Sequence, residues 1–170
     1  MTTADTPGGR PADVRARAGG RRLRLSRLLP GDVMTFRGPR WTAGMLAAVN
    51  AVGTIRSLVH VLAPDSGAQS IASMDTGVKG GGNVIGLLGQ WGGAQLLEAG
   101  VIWVALGRYR GLVPLMLGVV TAEQALRVGI GSAKPLTTAR TPPGALSKVL
   151  LPAVAVALAM SLTENPREGA

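Results

Sequence analysis

The stretch from Gly82 to Gly111, GNVIGLLGQWGGAQLLEAGVIWVALGRYRG, restricts the fold more than any other part of the chain. It is an apolar run long enough to cross a bilayer as a helix, which takes about 20 residues. Within hydrocarbon every backbone N–H and C=O must be satisfied inside the segment, so a helix is the form it can take. Glycines recur in it at helix-packing spacing, and three polar side chains, Gln90, Gln95 and Glu98, interrupt it. A short basic cluster, Arg108-Tyr109-Arg110, ends it. Such a helix packs closely on others and needs partners for its polar groups.

The rest of the composition points the same way. Hydrophobic residues make up 46% of the 170 residues but aromatics only 3%, so the apolar content is Ala, Val and Leu gathered in runs. A small helical membrane protein, all-α and of one domain, fits this better than a soluble core. Cysteine is absent, which removes disulfides, thiol chemistry and Cys-based metal sites.

Residues 1–40 are expected to form a basic, largely disordered tail. The first twenty are rich in Gly, Pro, Ala and Arg and have little apolar surface. A secretory signal peptide is not expected, because the first apolar run lies about forty residues in. In RRLRLSRLL, residues 21–29, three leucines share a helical face. This segment either lies on anionic lipid or is a solvated tail that sets topology, and the second reading is preferred. Met34 offers an alternative start that would remove residues 1–33.

Four spans follow, at about 41–63, 83–106, 112–132 and 146–162, forming an integral-membrane up-down bundle. Trp41 behind Arg40 anchors the first at an interface, and Pro64 stops it. Residues 64–81 are a loop with room for a short helix near Ala68–Met74. Pro114 sits in the first turn of the third span, where proline is tolerated. The fourth is close to the minimum length of about 17 residues and contains Pro152. A polar tail, 163–170, ends the chain.

The net charge of +9 is uneven: residues 1–40 hold nine Arg against three Asp, and the remainder nine Lys/Arg against six Asp/Glu. Arg21, Arg22, Arg24, Arg27, Arg37, Arg40, Arg108, Arg110 and Arg167 would lie on one side of the membrane. Lys79, Lys134, Arg140 and Lys148 would lie on the other. The positive-inside rule then places both termini in the cytoplasm, in a multi-pass protein of a bacterial inner membrane.

Ionisable side chains inside a span cost at least about 2.5 kcal/mol on insertion scales, so they mark either helix glue or a site. Here the set is Arg56 and His60 in the first span, Gln90, Gln95 and Glu98 in the second, and Glu123 and Arg127 in the third. The formal charges balance. Glu123 and Arg127, four apart, can pair within one helix. Arg56 with Glu98 is the favoured pair between helices, with a third-span partner for Glu98 as the alternative. His60, the one histidine, is best read as a packing residue; a two-His haem lacks its second ligand, and no metal site is expected. Gly82, Gly86, Gly89 and Gly93 form a small-residue face for a close helix neighbour, in this chain or another copy. GNVIGLLG is not a nucleotide loop, since no strand precedes it and no GK[ST] follows.

Gln95-Leu-Leu-Glu98-Ala-Gly100, Ala105-Leu-Gly107-Arg-Tyr-Arg110, Leu112-Val-Pro114-Leu-Met116 and Glu123-Gln-Ala-Leu-Arg127 together resemble the small uncharacterised four-helix bacterial membrane proteins around the DoxX-like superfamily. The resemblance covers roughly residues 41–145. It implies a four-helix bundle and, as in some relatives, association with quinone-linked redox partners. No catalytic residue carries over.

Two functional readings result. In the first, the protein is a non-enzymatic accessory or interaction subunit, with the bilayer and another membrane protein or a second copy as partners. In the second, it is a small transporter or a lipid- or quinone-binding protein using the interior polar set. No cofactor motif, nucleic-acid module or nucleophile–base pair is present, so an enzyme is the least supported reading.

Overall fold

The computed structural model describes residues 23–136, 138 and 146–163. The expectations for residues 1–22 and 164–170, and for Arg21, Arg22, Arg140 and Arg167, lie outside the described residues. Among the described residues the protein is all-helical. Helix α1 is Arg40–Leu62, α2 is Gly81–Gly107, α3 is Val113–Ala133 and α4 is Ser147–Ser161. No strand occurs among them.

Local chemistry accounts for the helix ends. The Thr42 hydroxyl donates to the Pro39 carbonyl at 2.8 Å as α1 begins. Ala63, the residue before Pro64, is extended at φ −72° and ψ 141°, which closes the helix. Gly80 precedes α2 with φ +92°, a conformation that other residues rarely adopt. A single 3-10 turn, Arg110–Leu112, leads into α3, whose first turn holds Pro114. Several hydroxyls bond back one turn within their own helix: Thr54 to Asn50, Ser57 to Gly53 and Thr121 to Leu117. These side chains make no demand on a neighbour.

The helices alternate in direction. Helix α1 packs along α2 and α3 along α4, with lighter contacts of α1 to α3 and α4 and of α2 to α3. The apolar core comprises Leu46, Ile102, Ala105, Val113, Met116, Leu117, Val120, Val154 and Ala157. These come from the start of α1, the end of α2, the first half of α3 and the end of α4. The core therefore fills the half of the bundle near the α2–α3 turn. Outward faces stay apolar: Val52, Ile55, Leu87, Leu97, Val101, Leu126, Ile130 and Val156 are all exposed.

Three features differ from the sequence expectation. Among the described residues, only α1 and the segment Arg110–Ala133 are long and apolar enough to cross a membrane. Helix α2 has the length, 27 residues, but its glycines and the polar residues Gln90, Gln95 and Glu98 dilute its apolar character. Helix α4 has 15 residues, about 22 Å at 1.5 Å per residue, and falls short of a full crossing. It continues through Pro152.

Residues 23–39, expected as part of a tail, lie across the end of the bundle. The Arg24 N–H donates to the Leu162 carbonyl at 3.3 Å, and the Gly111 N–H to the Val33 carbonyl at 2.9 Å. A Cβ on Gly111 would meet the Asp32 carbonyl oxygen at 2.5 Å, so glycine is what lets the segment settle on the α2–α3 turn. The leucines of this segment do not form a helical face: only Leu25–Arg27 is helical, as one 3-10 turn.

At the other end, residues 64–72 form successive turns, where the sequence allows a helix near Ala68–Met74. Asp65 organises them. Its carboxylate accepts the N–H groups of Gly67, Gln69 and Ser70 at 3.0, 3.1 and 2.7 Å. These bonds hold its pKa down at about 2.

Candidate functional site

The interior polar residues meet in the half of the bundle that the apolar core leaves unfilled. Three antiparallel helices bring them to one level. Arg56 Nη2 of α1 donates to Gln95 Oε1 of α2 at 2.7 Å. Gln95 Nε2 donates to Glu123 Oε1 of α3 at 2.5 Å. Arg127 Nε and Nη2 donate to the same Glu123 oxygen at 3.1 and 2.5 Å. A relay of two cations, one amide and one carboxylate thus joins three helices. The i, i+4 pair expected from the sequence, Glu123 with Arg127, is its α3 end.

Arg56 pairs with Gln95, not with Glu98. The antiparallel packing of α1 and α2 sets Asn50 against Ala99, whose carbonyl accepts the Asn50 amide at 3.1 Å. Arg56, further along α1, therefore meets α2 about one turn before Ala99, at Gln95. Glu98 makes no hydrogen bond or ion pair with the described residues. It lines a cavity of ≈160 Å³ together with Asn50, Arg56, Gln95, Glu123 and Gln124. The first turn of α4 closes one side through Leu146, Ser147 and Leu150. No side chain caps that helix start. Helix α4 begins at the level of the relay.

Trp91 adds an element the sequence reading passed over. The guanidinium carbons of Arg56 and Arg127 lie 5.3 and 4.7 Å from its ring centroid. Each is a cation–π contact worth about 0.5–1 kcal/mol at an exposed site and more when desolvated. The spacing Trp91, Gln95, Glu98 was itself a usable signal, since residues three and four apart share a helix face. Arg56 remains incompletely satisfied: its Nε is buried and has no hydrogen-bond partner.

His60 belongs to the other end of the set. Its ring is buried, 5.3 Å from that of Trp91. Nδ1 lies 2.6 Å from the Ser66 carbonyl oxygen. A carbonyl only accepts, so Nδ1 carries the proton and ties α1 to the following loop. Among the described residues, no group of three His, Asp or Glu side chains gathers as a metal-ion site.

Gln90 is exposed and takes no part in the relay. Of the four glycines read as a packing face, Gly89 alone nears α1 and its loop; a Cβ there would sit 3.2 Å from Ser66 Oγ. A Cβ on Gly82, Gly86 or Gly93 would meet nothing within 4 Å. The tight approach is at Gly92, outside the four-residue pattern, where a Cβ would fall 2.4 Å from His60 Cβ.

No family model, no curated protein and no solved structure matches the chain.

Proposed function

We propose that this chain is a multi-pass protein of a bacterial inner membrane, with both termini cytoplasmic, that binds or transports a small molecule in its interior polar cavity. The membrane reading is supported by the two apolar helical segments. Only 22% of the α1 window and 33% of the α3 window is buried. The core helix of a soluble protein would be mostly buried, whereas these expose Val52, Ile55, Leu126 and Ile130. Charge placement supports the orientation. Arg24, Arg27, Arg37, Arg40, Arg108 and Arg110 share the end built from the α1 start and the α2–α3 turn. In this reading α2 and α4, too polar or too short alone, enter the membrane packed on α1 and α3.

One observation carries the ligand reading: Glu98, an intramembrane carboxylate without a partner among the described residues, faces a cavity shared with the Arg56–Gln95–Glu123 relay. Glue-only polar residues would be paired with one another and sealed. An unpaired charge in hydrocarbon is costly, and a bound donor offsets that cost. The fitting ligand offers a hydroxyl or amine to Glu98. The cavity is small enough to favour a solute or a headgroup, such as that of a lipid or a quinol, over a whole cofactor.

The test is mass spectrometry of small molecules that copurify with the detergent-extracted protein and with Glu98→Gln. A species retained by the wild type and lost from an equally stable variant is expected. Identical spectra from the two proteins would remove the site.

A second reading, as an accessory or interaction subunit, is favoured by Gly82, Gly86 and Gly93, whose face of α2 is open among the described residues. A small-residue face suits a close-packed partner helix. A monomeric wild type, unaltered by Gly86→Leu, would count against it.

A further inference from the structure

Each of the four helices brings to the interior cavity a polar group that has no hydrogen-bond partner among the described residues. On α2 it is the Glu98 carboxylate, on α3 the Gln124 amide and on α4 the Ser147 hydroxyl. On α1, Asn50 donates from Nδ2 to the Ala99 carbonyl and leaves Oδ1 free. Asn50, Gln124 and Ser147 are 5, 6 and 4% exposed, so these are interior groups, and leaving such groups unpaired is costly. Of the described buried side-chain atoms without a partner, only Arg56 Nε is sealed off. The free atoms of the other four residues therefore open onto space, and the cavity is the space they share.

The set dictates a ligand chemistry. Glu98 and Asn50 Oδ1 only accept, so the occupant must donate to both. The Gln124 amide and the Ser147 hydroxyl also donate, so the occupant must accept as well. An ammonium group only donates. A carboxylate or phosphate only accepts, and would face Glu98. Hydroxyls do both. Charge points the same way, because Arg56 and Arg127 already balance Glu98 and Glu123 at this level. A charged ligand would upset that balance away from water. The cavity, ≈160 Å³, has room for about five waters at ~30 Å³ each, which suits a molecule of glycerol size.

We propose that this cavity binds an uncharged polyol group of glycerol size, held by Asn50, Glu98, Gln124 and Ser147. The proposal rests on the binding reading above and narrows its ligand from a hydroxyl or amine to a set of neighbouring hydroxyls. Two sources carry this chemistry, a free solute and the glycerol head of a neutral lipid. Val52 of α1 and Leu146 of α4 both line the cavity and are 63% and 54% exposed. Its mouth therefore lies between these two helices, on a face turned toward the bilayer in that reading.

The experiment is a scintillation proximity measurement of tritiated glycerol, and separately of tritiated 1-monooleoylglycerol, on the full chain in detergent. Saturable binding is expected, and an equal concentration of ethanolamine or lactate leaves it in place. Gln124→Leu removes the amide at similar volume and Ser147→Ala removes the hydroxyl. Each should weaken binding by roughly three- to tenfold while circular dichroism and the unfolding midpoint stay at their wild-type values. The control Gln90→Leu, at an exposed position outside the cavity, keeps the wild-type affinity. Glycerol binding that 1-monooleoylglycerol does not displace assigns a free solute; tighter binding of 1-monooleoylglycerol assigns a lipid head. Displacement by ethanolamine would overturn the choice of hydroxyls. Absence of saturable binding of either polyol, or binding unchanged in both cavity variants, would overturn the polyol site. If Glu98→Gln then still loses its copurified species, the binding reading stands and only the ligand class falls. If it loses nothing, the cavity holds water and both readings fall.

Discussion

The two halves of the bundle are built on opposite principles. Near the α2–α3 turn, Leu46, Val113, Leu117 and Val154 are fully buried and pack in one apolar cluster. Toward the α1–α2 loop, the same helices present Arg56, Gln95, Glu98, Glu123 and Arg127 around a cavity. The apolar half has its packing satisfied by the chain itself. The polar half does not, since Glu98 and Arg56 Nε lack partners among the described residues. Apolar burial is thus concentrated in one half, and the other keeps a polar cavity.

The largest expected effect is in the apolar half. Leu117→Ala deletes a side chain that is 0% exposed and should destabilise by about 2–5 kcal/mol, measured by unfolding in micelles. A loss below about 0.5 kcal/mol, the usual range for surface substitutions, would break the contrast. Next comes the helix seam. Gly92→Leu collides with His60 and should cost about 1–3 kcal/mol, whereas Gly86→Ala enters open space and should stay within about 0.5 kcal/mol. Comparable losses in these two variants would mean that the α1–α2 seam is not where the geometry puts it. In the polar half, Glu98→Gln removes no bond and should also stay within about 0.5 kcal/mol of the wild type.

The smallest effect is a local one with pH. Asp65 has a folded pKa of about 2, held below the usual carboxylate value by three backbone N–H groups. A depressed pKa contributes stability that is present above the unfolded value, about 3.9, and is lost as pH falls toward the folded one. Proteolysis or hydrogen exchange of the loop at Gly67–Ser70 should therefore rise between about pH 4 and 2. Asp65→Asn should remove this dependence while leaving the helices unchanged.

Much of the fold was legible because apolar runs and helix breakers are local signals. Pro64 and Pro114 mark boundaries that the structure places at or beside them. The candidate site was legible as a set of residues but not as a set of contacts. Composition identifies Arg56, Glu98 and Glu123 as groups needing partners. Which pair forms depends on the axial offset of α1 against α2, and that offset is set by the close approach at Gly92. The three-four glycine pattern points to Gly82, Gly86, Gly89 and Gly93 instead, because spacing alone does not say which face a neighbour occupies. The course of residues 23–39 was equally hidden. Backbone bonds from Arg24 and to Val33 hold it, and backbone bonds leave no trace in side-chain composition.

The absence of cysteine makes the central claim directly measurable. In membrane vesicles, Glu98→Cys and Leu117→Cys would be exposed to a small water-soluble thiol reagent and their rates of modification compared. An open polar cavity predicts that the substitution at Glu98 is modified readily and that the one at Leu117, in the sealed apolar half, is not. Equal resistance at the two positions would mean that the polar half is closed as well, and that its charges only hold the helices together.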